Sequence, residues 1–198
     1  MTLTDMKRRV IGRVDATFSR GEIEEMTALG CANARGEILA REPVAPQAAR
    51  HRISATDVLN EAWDYASSFS RGTAMTIEAG HRVLWLSGTA SIDGAGRTLY
   101  PGDFRAQQWR TYHNLTRLLE VEGANWSDMV RTTCYLRDIE RDYDAFNAVR
   151  TLFLKCMAVD PAPASTGVQA RLCRSDLLIE IEAFAIVKSA PGAGDRRA

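Results

Sequence analysis

A glutamate in the middle of an apolar strand pattern is the first candidate for chemistry in this chain. Glu180 lies between Ile179 and Ile181, in a run that alternates from residue 177 to residue 187. A carboxylate at such a position is costly to bury unless it is paired or protonated, so burial tends to raise its pKa. A carboxylic acid that keeps its proton near neutral pH can act as a general acid. Glu180 is therefore our candidate catalytic residue, and a structural ion pair with an arginine across a subunit interface is the alternative.

Basic and hydroxyl side chains near the predicted strand ends are candidates for binding an anionic substrate. Arg71, Arg171 and Arg174 each carry a guanidinium group, which can hold a carboxylate through two hydrogen bonds. Ser165 and Thr166 begin a predicted strand, where hydroxyl and backbone N–H groups can hold an anion. Each of these side chains has an ordinary alternative as a solvated turn or strand residue.

The composition favours a globular protein that binds small molecules. The chain has 198 residues, of which 45% are hydrophobic and 25% charged, and this suits one domain with an extension. The 25 Lys and Arg residues balance 25 Asp and Glu residues, so there is no basic excess for a nucleic acid. We therefore expect a small-molecule substrate or ligand and no nucleic-acid partner.

The cysteine and histidine pattern favours neither a metal site nor a disulfide framework. The four cysteines form no CxxC pair, and the three histidines have no metal-ligand spacing with one another. No apolar run resembles a signal peptide or is long enough to span a bilayer. The sequence predicts a cytoplasmic protein with free thiols, no cofactor, no metal and no membrane partner.

Residues 66–188 carry strong, alternating strand and helix signals. Their predicted order is strand, strand, helix, strand, helix, strand, strand. Asp103 and Asp142 are placed to cap the two helices, because each carboxylate can accept hydrogen bonds from exposed backbone N–H groups. Strand patterns are clearest at residues 83–86, 129–136, 165–172 and 177–187.

Two helices can cover only one face of such a sheet, which predicts an α+β fold with a mixed sheet. The last predicted strand carries apolar groups on both faces, because Ile179 and Ile181 alternate with Leu178, Phe184 and Ile186. The face without helices therefore still has apolar surface to bury. This predicts the association of subunits.

The rest of the chain divides into an N-terminal extension, residues 1–65, and a tail, residues 189–198, that we expect to be disordered. Within the extension, the pattern predicts a helix over residues 22–35 and the start of a short helix over residues 53–59. We expect the extension to lie over the edge of the assembly and narrow a cleft between subunits. A docking arm for a partner is the alternative.

Five segments, in order, resemble the Rid (YjgF-like) family. The sequence reads Ser-Phe-Ser-Arg-Gly at 68–72, Leu-Ser-Gly-Thr-Ala-Ser-Ile-Asp at 86–93, Arg-Thr-Thr-Cys-Tyr-Leu-Arg-Asp at 131–138, Phe-Asn-Ala at 146–148 and Leu-Ile-Glu-Ile-Glu-Ala at 178–183. The resemblance covers about three-fifths of the chain. It implies a Rid/chorismate-mutase-like fold and a homotrimer with small-molecule sites between subunits.

The resemblance also implies an activity and a set of site residues. The best-known activity of the family is the hydrolysis of reactive enamines and imines such as 2-aminoacrylate. Glu180 matches the family glutamate that positions or activates water, and Asn147 matches a site asparagine. Ser87 and Gly88 match a strand segment that offers backbone donors.

Two positions depart from the family pattern. Ala164 stands where the family has the arginine that pairs with the substrate carboxylate, and alanine can make no such contact. Phe69 stands where tyrosine is common, and we keep it as a substrate-binding candidate. Arg71, Arg171 and Arg174 are the candidates to replace the missing arginine.

Residues 87–92 and 173–182 further resemble the chorismatases, which hydrolyse the enolpyruvyl ether of chorismate. Our hypothesis is a trimeric hydrolase or lyase of a small unsaturated carboxylate, either an enol ether or an enamine or imine, with Glu180 as acid or base. A non-catalytic metabolite-binding protein is the first alternative, favoured by Ala164 and Phe69. A conventional imine deaminase is the second alternative.

Overall fold

The computed structural model describes residues 8–41, 51–65, 69–77 and 80–188, and within these ranges the chain forms eight strands and three helices. The predicted tail at 189–198 lies outside the described residues. The strands are β1 (Arg8–Arg13), β2 (Glu37–Arg41), β3 (His51–Ile53), β4 (Gly72–Ile77), β5 (His81–Ala90), β6 (Met129–Leu136), β7 (Ala164–Gln169) and β8 (Ile179–Lys188). The helices are α1 (Arg20–Ala28), α2 (Phe104–Glu120) and α3 (Ile139–Cys156).

Six strands form one mixed sheet in the order β3-β4-β5-β8-β6-β7, while β1 and β2 form a separate hairpin. All neighbours in the six-stranded sheet are antiparallel except β6 and β7, which are parallel. Helix α2 packs on β5 and β8, and α3 packs on β7. The predicted α+β fold with a mixed sheet and two helices on one face is confirmed, as is the order of elements from β4 to β8.

Helix α2 begins at the predicted cap. Asp103 has an extended backbone, and its carboxylate accepts a hydrogen bond from the Ala106 backbone N–H at 2.9 Å. Leu115, Leu118 and Leu119 are fully buried and fix the helix on the sheet. No helix among the described residues is long and apolar enough to cross a bilayer.

The N-cap of helix α3 lies four residues before the predicted cap at Asp142. The N-cap is Asp138, whose carboxylate accepts from the Arg141 backbone N–H at 3.0 Å. A cap needs an extended backbone, and Asp138, two residues after the end of strand β6, has one. Asp142 lies instead in the first turn, where its buried carboxylate accepts hydrogen bonds from the Arg141 guanidinium.

The extension differs from its predicted local structure at two places. The helix predicted over 22–35 is α1, which begins earlier because Ser19 caps it and ends before Gly30, whose φ is +66°. The short helix predicted from 53–59 is absent, because Ile53 ends strand β3 and pairs with Gly72. A 3₁₀ turn follows at Ala62–Tyr65.

Helix α1 packs on α2 through buried polar contacts. Glu22 is fully buried and accepts hydrogen bonds from Arg105 at 2.8 and 2.9 Å and from the Trp109 indole N–H at 2.9 Å. Glu25, also buried, accepts from the Tyr100 hydroxyl at 2.6 Å. Helix α1 therefore extends the core on the side of α2, whereas β3, also part of the extension, adds an edge strand to the sheet.

The face of the sheet opposite the helices carries large apolar side chains that no element of the described chain covers. Trp85 and Phe184 are in edge-to-face contact, with ring centroids 6.2 Å apart. Ile186, on the same face of β8 as Phe184, is 40% exposed. We call this surface the open face.

Replacing Glu22 with alanine will destabilise the protein by about 2–3 kcal/mol, because it leaves Arg105 and Trp109 without their buried acceptor. The matched control is Glu24→Ala, which removes an exposed ion pair with Arg20 and will cost less than about 1 kcal/mol. Urea unfolding measures both. Equal effects of the two substitutions would mean that α1 is not part of the cooperative core.

Candidate functional site

A bulge in β5 creates the floor of the candidate site. The register of β5 with β8 shifts between Leu86 and Thr89, so Ser87 and Gly88 stand out of the regular ladder. The Ser87 backbone N–H donates to the Arg71 carbonyl at 3.0 Å, and its hydroxyl donates to the Ser70 carbonyl at 2.7 Å. Both donors of Ser87 are thus used within the chain. The role of Ser87 is therefore structural, because these two hydrogen bonds hold the bulge.

The Glu180 side chain lies over Gly88. A Cβ atom at position 88 would be 2.0 Å from Glu180 Oε1, so only glycine leaves room for the carboxylate in this position. The side chain is half-buried, and no hydrogen bond to its carboxylate is found among the described residues. Burial raises the pKa of Glu180, the nearby charge of Arg71 opposes this shift, and the Glu182 carboxylate adds to it.

Arg71 brings a fixed positive charge to the same place. It is buried, and its guanidinium donates to the Asn60 carbonyl at 2.7 Å and to the Asn60 side-chain oxygen at 3.0 Å. The rings of Tyr65 and Phe69 each lie 5.4 Å from the guanidinium carbon. Two of the predicted site residues, Arg71 and Phe69, are therefore brought together beside Glu180.

A tyrosine completes this group. Tyr135 on β6 is directly opposite Glu180 in the strand register, and both side chains point to the open face. Burial and the Glu182 carboxylate raise the pKa of the Tyr135 hydroxyl, with a further contribution from Glu180. We call the set of Glu180, Gly88, Arg71, Phe69 and Tyr135 the Glu180 cluster.

Asn147 and Ser165 belong to a second group, on the helix side of the edge strand β7. The guanidinium of Arg150 on α3 donates to the Asn147 side-chain oxygen at 2.6 Å and to the Ser165 hydroxyl at 3.2 Å. We call Arg150, Asn147 and Ser165 the Arg150 cluster. Thr166 points to the opposite face, where its hydroxyl accepts from Arg131 at 3.0 Å. The structure therefore separates Ser165 from Thr166.

The two arginines of the β7–β8 connection lie apart from both groups. The side chain of Arg174 donates to the Gly96 carbonyl, and its own carbonyl accepts from Arg137. Arg174 thus ties the β7–β8 connection to the turn after β5. Arg171 is exposed, and no contact of its side chain is found in the described ranges.

Strand geometry separates the two clusters within one chain. Ser165 on β7 is in register with Thr132 on β6, which is in register with Ala183 on β8. Ser165 therefore lies two strands away from β8, and Ala183 lies three residues from Glu180 along that strand. This places the two clusters about 10 Å apart along the strands and about 10 Å apart across them. The two clusters also face opposite sides of the sheet, so one chain does not bring both to a single three-carbon substrate.

Sequence reasoning missed Asn60, Tyr65, Tyr135 and Arg150. Asn60 and Tyr65 lie in an irregular segment before β4, and no periodic signal places such residues. Tyr135 had a signal, because the alternation of β6 puts it on the face of Glu180 once the register is known. Among the residues described, no group of three or more His, Cys, Asp and Glu could hold a metal ion.

Comparisons with known proteins agree with this fold. A family model described as endoribonuclease L-PSP matches residues 59–187. A RutC family protein of Pyrococcus horikoshii is 30% identical over 112 residues, which are 57% of this chain and 84% of that protein. Protein DfrA of Myxococcus xanthus is 30% identical over 113 residues, with 57% and 82% of the two chains covered.

Solved structures show the same architecture. The YjgF gene product of E. coli is 24% identical, with a TM-score of 0.56, and the match covers 69% of this chain and 98% of that one. The E. coli protein TdcF, solved with bound serine, is 21% identical with a TM-score of 0.57, covering 70% and 99%. At these identities the likeness shows the fold alone.

Replacing Gly88 with alanine will move the Glu180 carboxylate out towards water and return its pKa towards the ordinary value of about 4.3. The free energy of unfolding will fall by less than about 1 kcal/mol, since the displaced atom is the free end of a flexible side chain. The measurement is an NMR pH titration of the Glu180 carboxyl carbon.

The matched control is Gly12→Ala in strand β1, where the added methyl meets Ile38 at an ordinary 3.6 Å. It will leave the Glu180 titration unchanged. A pKa that stays raised in Gly88→Ala would show that the space above Gly88 does not set the burial of Glu180.

Proposed function

The chain belongs to the endoribonuclease L-PSP family, which is the YjgF/Rid family, and from this premise we propose that it is a hydrolase or lyase of a small unsaturated carboxylate. The substrate is an enol ether, an enamine or an imine, and Glu180 is the acid and then the base of the reaction. The name endoribonuclease L-PSP refers to RNA cleavage. Equal numbers of basic and acidic residues give this chain no charge excess for RNA, which favours a small molecule.

The observation that carries the proposal is the state of Glu180. It is half-buried over Gly88, has no hydrogen-bond partner among the described residues, and has a raised pKa. Within the described chain, Glu180 forms no ion pair, and the guanidinium of Arg71 is held by Asn60. An ion pair with an arginine across the subunit interface stays the alternative. A carboxylic acid without a partner in its own chain is available to a substrate.

The chemistry requires one proton donor that can later accept a proton. Protonated Glu180 gives its proton to the terminal carbon of the substrate double bond, which forms an iminium or oxocarbenium ion. The resulting carboxylate stabilises this cation and takes a proton from the water that adds to it. Collapse of the adduct releases ammonia or an alcohol and leaves a 2-oxo acid. An imine substrate enters the same sequence at the addition of water.

A metabolite-binding protein without catalysis is the second candidate. Ala164 and Phe69 favour it, since neither can make the polar contact expected at its position. The relative TdcF was solved with bound serine, which supports a small carboxylated ligand under either proposal. A conventional imine deaminase is the third candidate and requires that another group replace the arginine missing at Ala164.

We further propose that the open face is buried in a homotrimer with sites between subunits. Its apolar side chains, Trp85, Phe184 and Ile186, need cover that the described chain does not provide. The separation of the Glu180 cluster from the Arg150 cluster also favours sites to which two copies contribute.

Replacing Ile186 with arginine will break the assembly, because it places a charge on the apolar open face. Light scattering coupled to size exclusion will give a trimer for the wild type and smaller species for Ile186→Arg. The control is Val121→Arg, at the end of α2, where the side chain is similarly exposed at 44%. A monomeric wild type would contradict the inter-subunit site.

Pyruvate release tests the reaction, with chorismate and with 2-aminoacrylate generated in the assay, since hydrolysis of either yields pyruvate. Glu180→Gln will lower kcat by about 100-fold or more on the substrate that is turned over. Because burial raises the pKa of Glu180, activity will persist to higher pH than an ordinary glutamic acid allows. The activity will be present below the pKa of Glu180 and will be lost as the pH rises through that pKa.

The control for this test is Glu24→Gln, an exposed position on α1, which will keep wild-type activity. If neither compound releases pyruvate faster than it does spontaneously, both are ruled out as substrates. That result would favour the metabolite-binding protein. Full activity of Glu180→Gln would remove Glu180 from the mechanism.

A further inference from the structure

Arg150 is held in a fixed position by neutral groups. One terminal nitrogen of its guanidinium donates to Asn147 at 2.6 Å and the other donates to Ser165 at 3.2 Å. The guanidinium carbon lies 4.7 Å from the centre of the Phe146 ring, and Phe146 is itself buried in the core. Two hydrogen bonds and a ring contact fix the orientation of this side chain before any ligand arrives.

The charge of Arg150 is not compensated within the described chain. None of its contacts there is an ion pair, whereas Arg105, Arg117 and Arg141 all have carboxylate partners. A guanidinium has five N–H donors, and the hydrogen bonds to Asn147 and Ser165 use two of them. A half-buried cation with free donors and no counter-ion is suited to bind an anion.

A groove of about 470 Å³ lies next to the Arg150 cluster, between α3 and β7. It is lined by Tyr143, Asp144 and Gly167, together with Ile139 and Glu140. Asn147 donates to the Tyr143 carbonyl, so the Arg150 cluster lies further along α3 than this lining. The carboxylates of Glu140 and Asp144 disfavour an anion in the groove itself, which leaves the guanidinium of Arg150 as the favourable position for its charge.

We propose that Arg150, oriented by Asn147 and Ser165, binds the carboxylate of the ligand. The inference rests on the proposed function for the class of ligand, and it makes the Arg150 cluster the carboxylate half of the site. It also gives a chain with Ala164 at the start of β7 a different guanidinium for a carboxylate, on the other side of the strand. Ser165 points to the helix side, where Arg150 contacts it from α3, whereas Ala164 points to the open face.

Arg131 is the competing arginine, and its geometry is less suitable. It is exposed, lies in register with Ala164 on the open face, and within the described ranges its side chain has one hydrogen bond, to Thr166. An exposed guanidinium with one hydrogen bond loses more conformational freedom on binding than one that is already held by two. Arg131 is therefore the matched control for Arg150.

The experiment is a calorimetric titration of the assembled protein with pyruvate, the product expected from both candidate reactions, and with its uncharged analogue pyruvamide. The wild type will bind pyruvate more tightly than pyruvamide. Arg150→Gln will weaken pyruvate binding by about tenfold or more and leave pyruvamide binding nearly unchanged. The affinity of Arg150→Lys for pyruvate will lie between those of the wild type and Arg150→Gln. Arg131→Gln will bind pyruvate as tightly as the wild type does.

Circular dichroism and the melting temperature verify that Arg150→Gln is folded, and its retained binding of pyruvamide gives a second check. Pyruvate binding by Arg150→Gln equal to the wild type would overturn the inference, as would a wild type with no preference for pyruvate over pyruvamide. Glu180→Gln separates the two proposals, because it will keep the preference for pyruvate even though it removes turnover. If the wild type prefers pyruvate but turns over neither candidate substrate, the role of Arg150 in binding is supported and the proposed enzymatic activity is rejected.

Discussion

Strand β8 is the element on which the rest of the structure depends. It is hydrogen-bonded along both edges, to β5 and to β6, and only one of its faces is covered by helices. Ile179, Ile181 and Ala183 fill the core beneath α2, so the intervening residues must point to the open face. That fixed alternation puts Glu180, Glu182 and Phe184 side by side. A shift of one residue would bury the carboxylates, so the core also fixes the position of the acid.

The open face combines a polar half and an apolar half, and each has its own consequence. At the polar end, the bulge at Ser87 and Gly88 removes a side chain from beneath Glu180 and lets its carboxylate lie close to the strand. At the apolar end, Trp85 and Ile186 form an exposed surface that is suited to contact with another copy of the protein. The surface that suits assembly and the group that suits catalysis thus share a strand. Association of copies would also reduce the access of water to Glu180 and strengthen its tendency to hold a proton.

From β4 to β8 the sequence was sufficient for the elements and for the faces of the strands, because both follow from local periodicity. Strands β1, β2 and β3 of the extension were not predicted, since the periodicity there is weak. Asp103 was correctly identified as a cap, but Asp142 was not. Both are aspartates near a helix start, and only the backbone conformation after β6 selects Asp138. Glu180 was identified because a charge breaks an apolar run. Arg150 carried no such signal, since an arginine on an amphipathic helix is ordinary until Asn147 and Ser165 are found on either side of it.

The distance between the two clusters bears on the genetics of this protein. If each site takes Glu180 from one copy and Arg150 from the next, the two functions need not be intact in the same polypeptide. A chain defective at one position and a chain defective at the other, expressed in the same cell, would assemble into mixed oligomers that contain some sites with both groups. Two recessive alleles could then complement each other, and an allele that damages the shared apolar surface would complement neither.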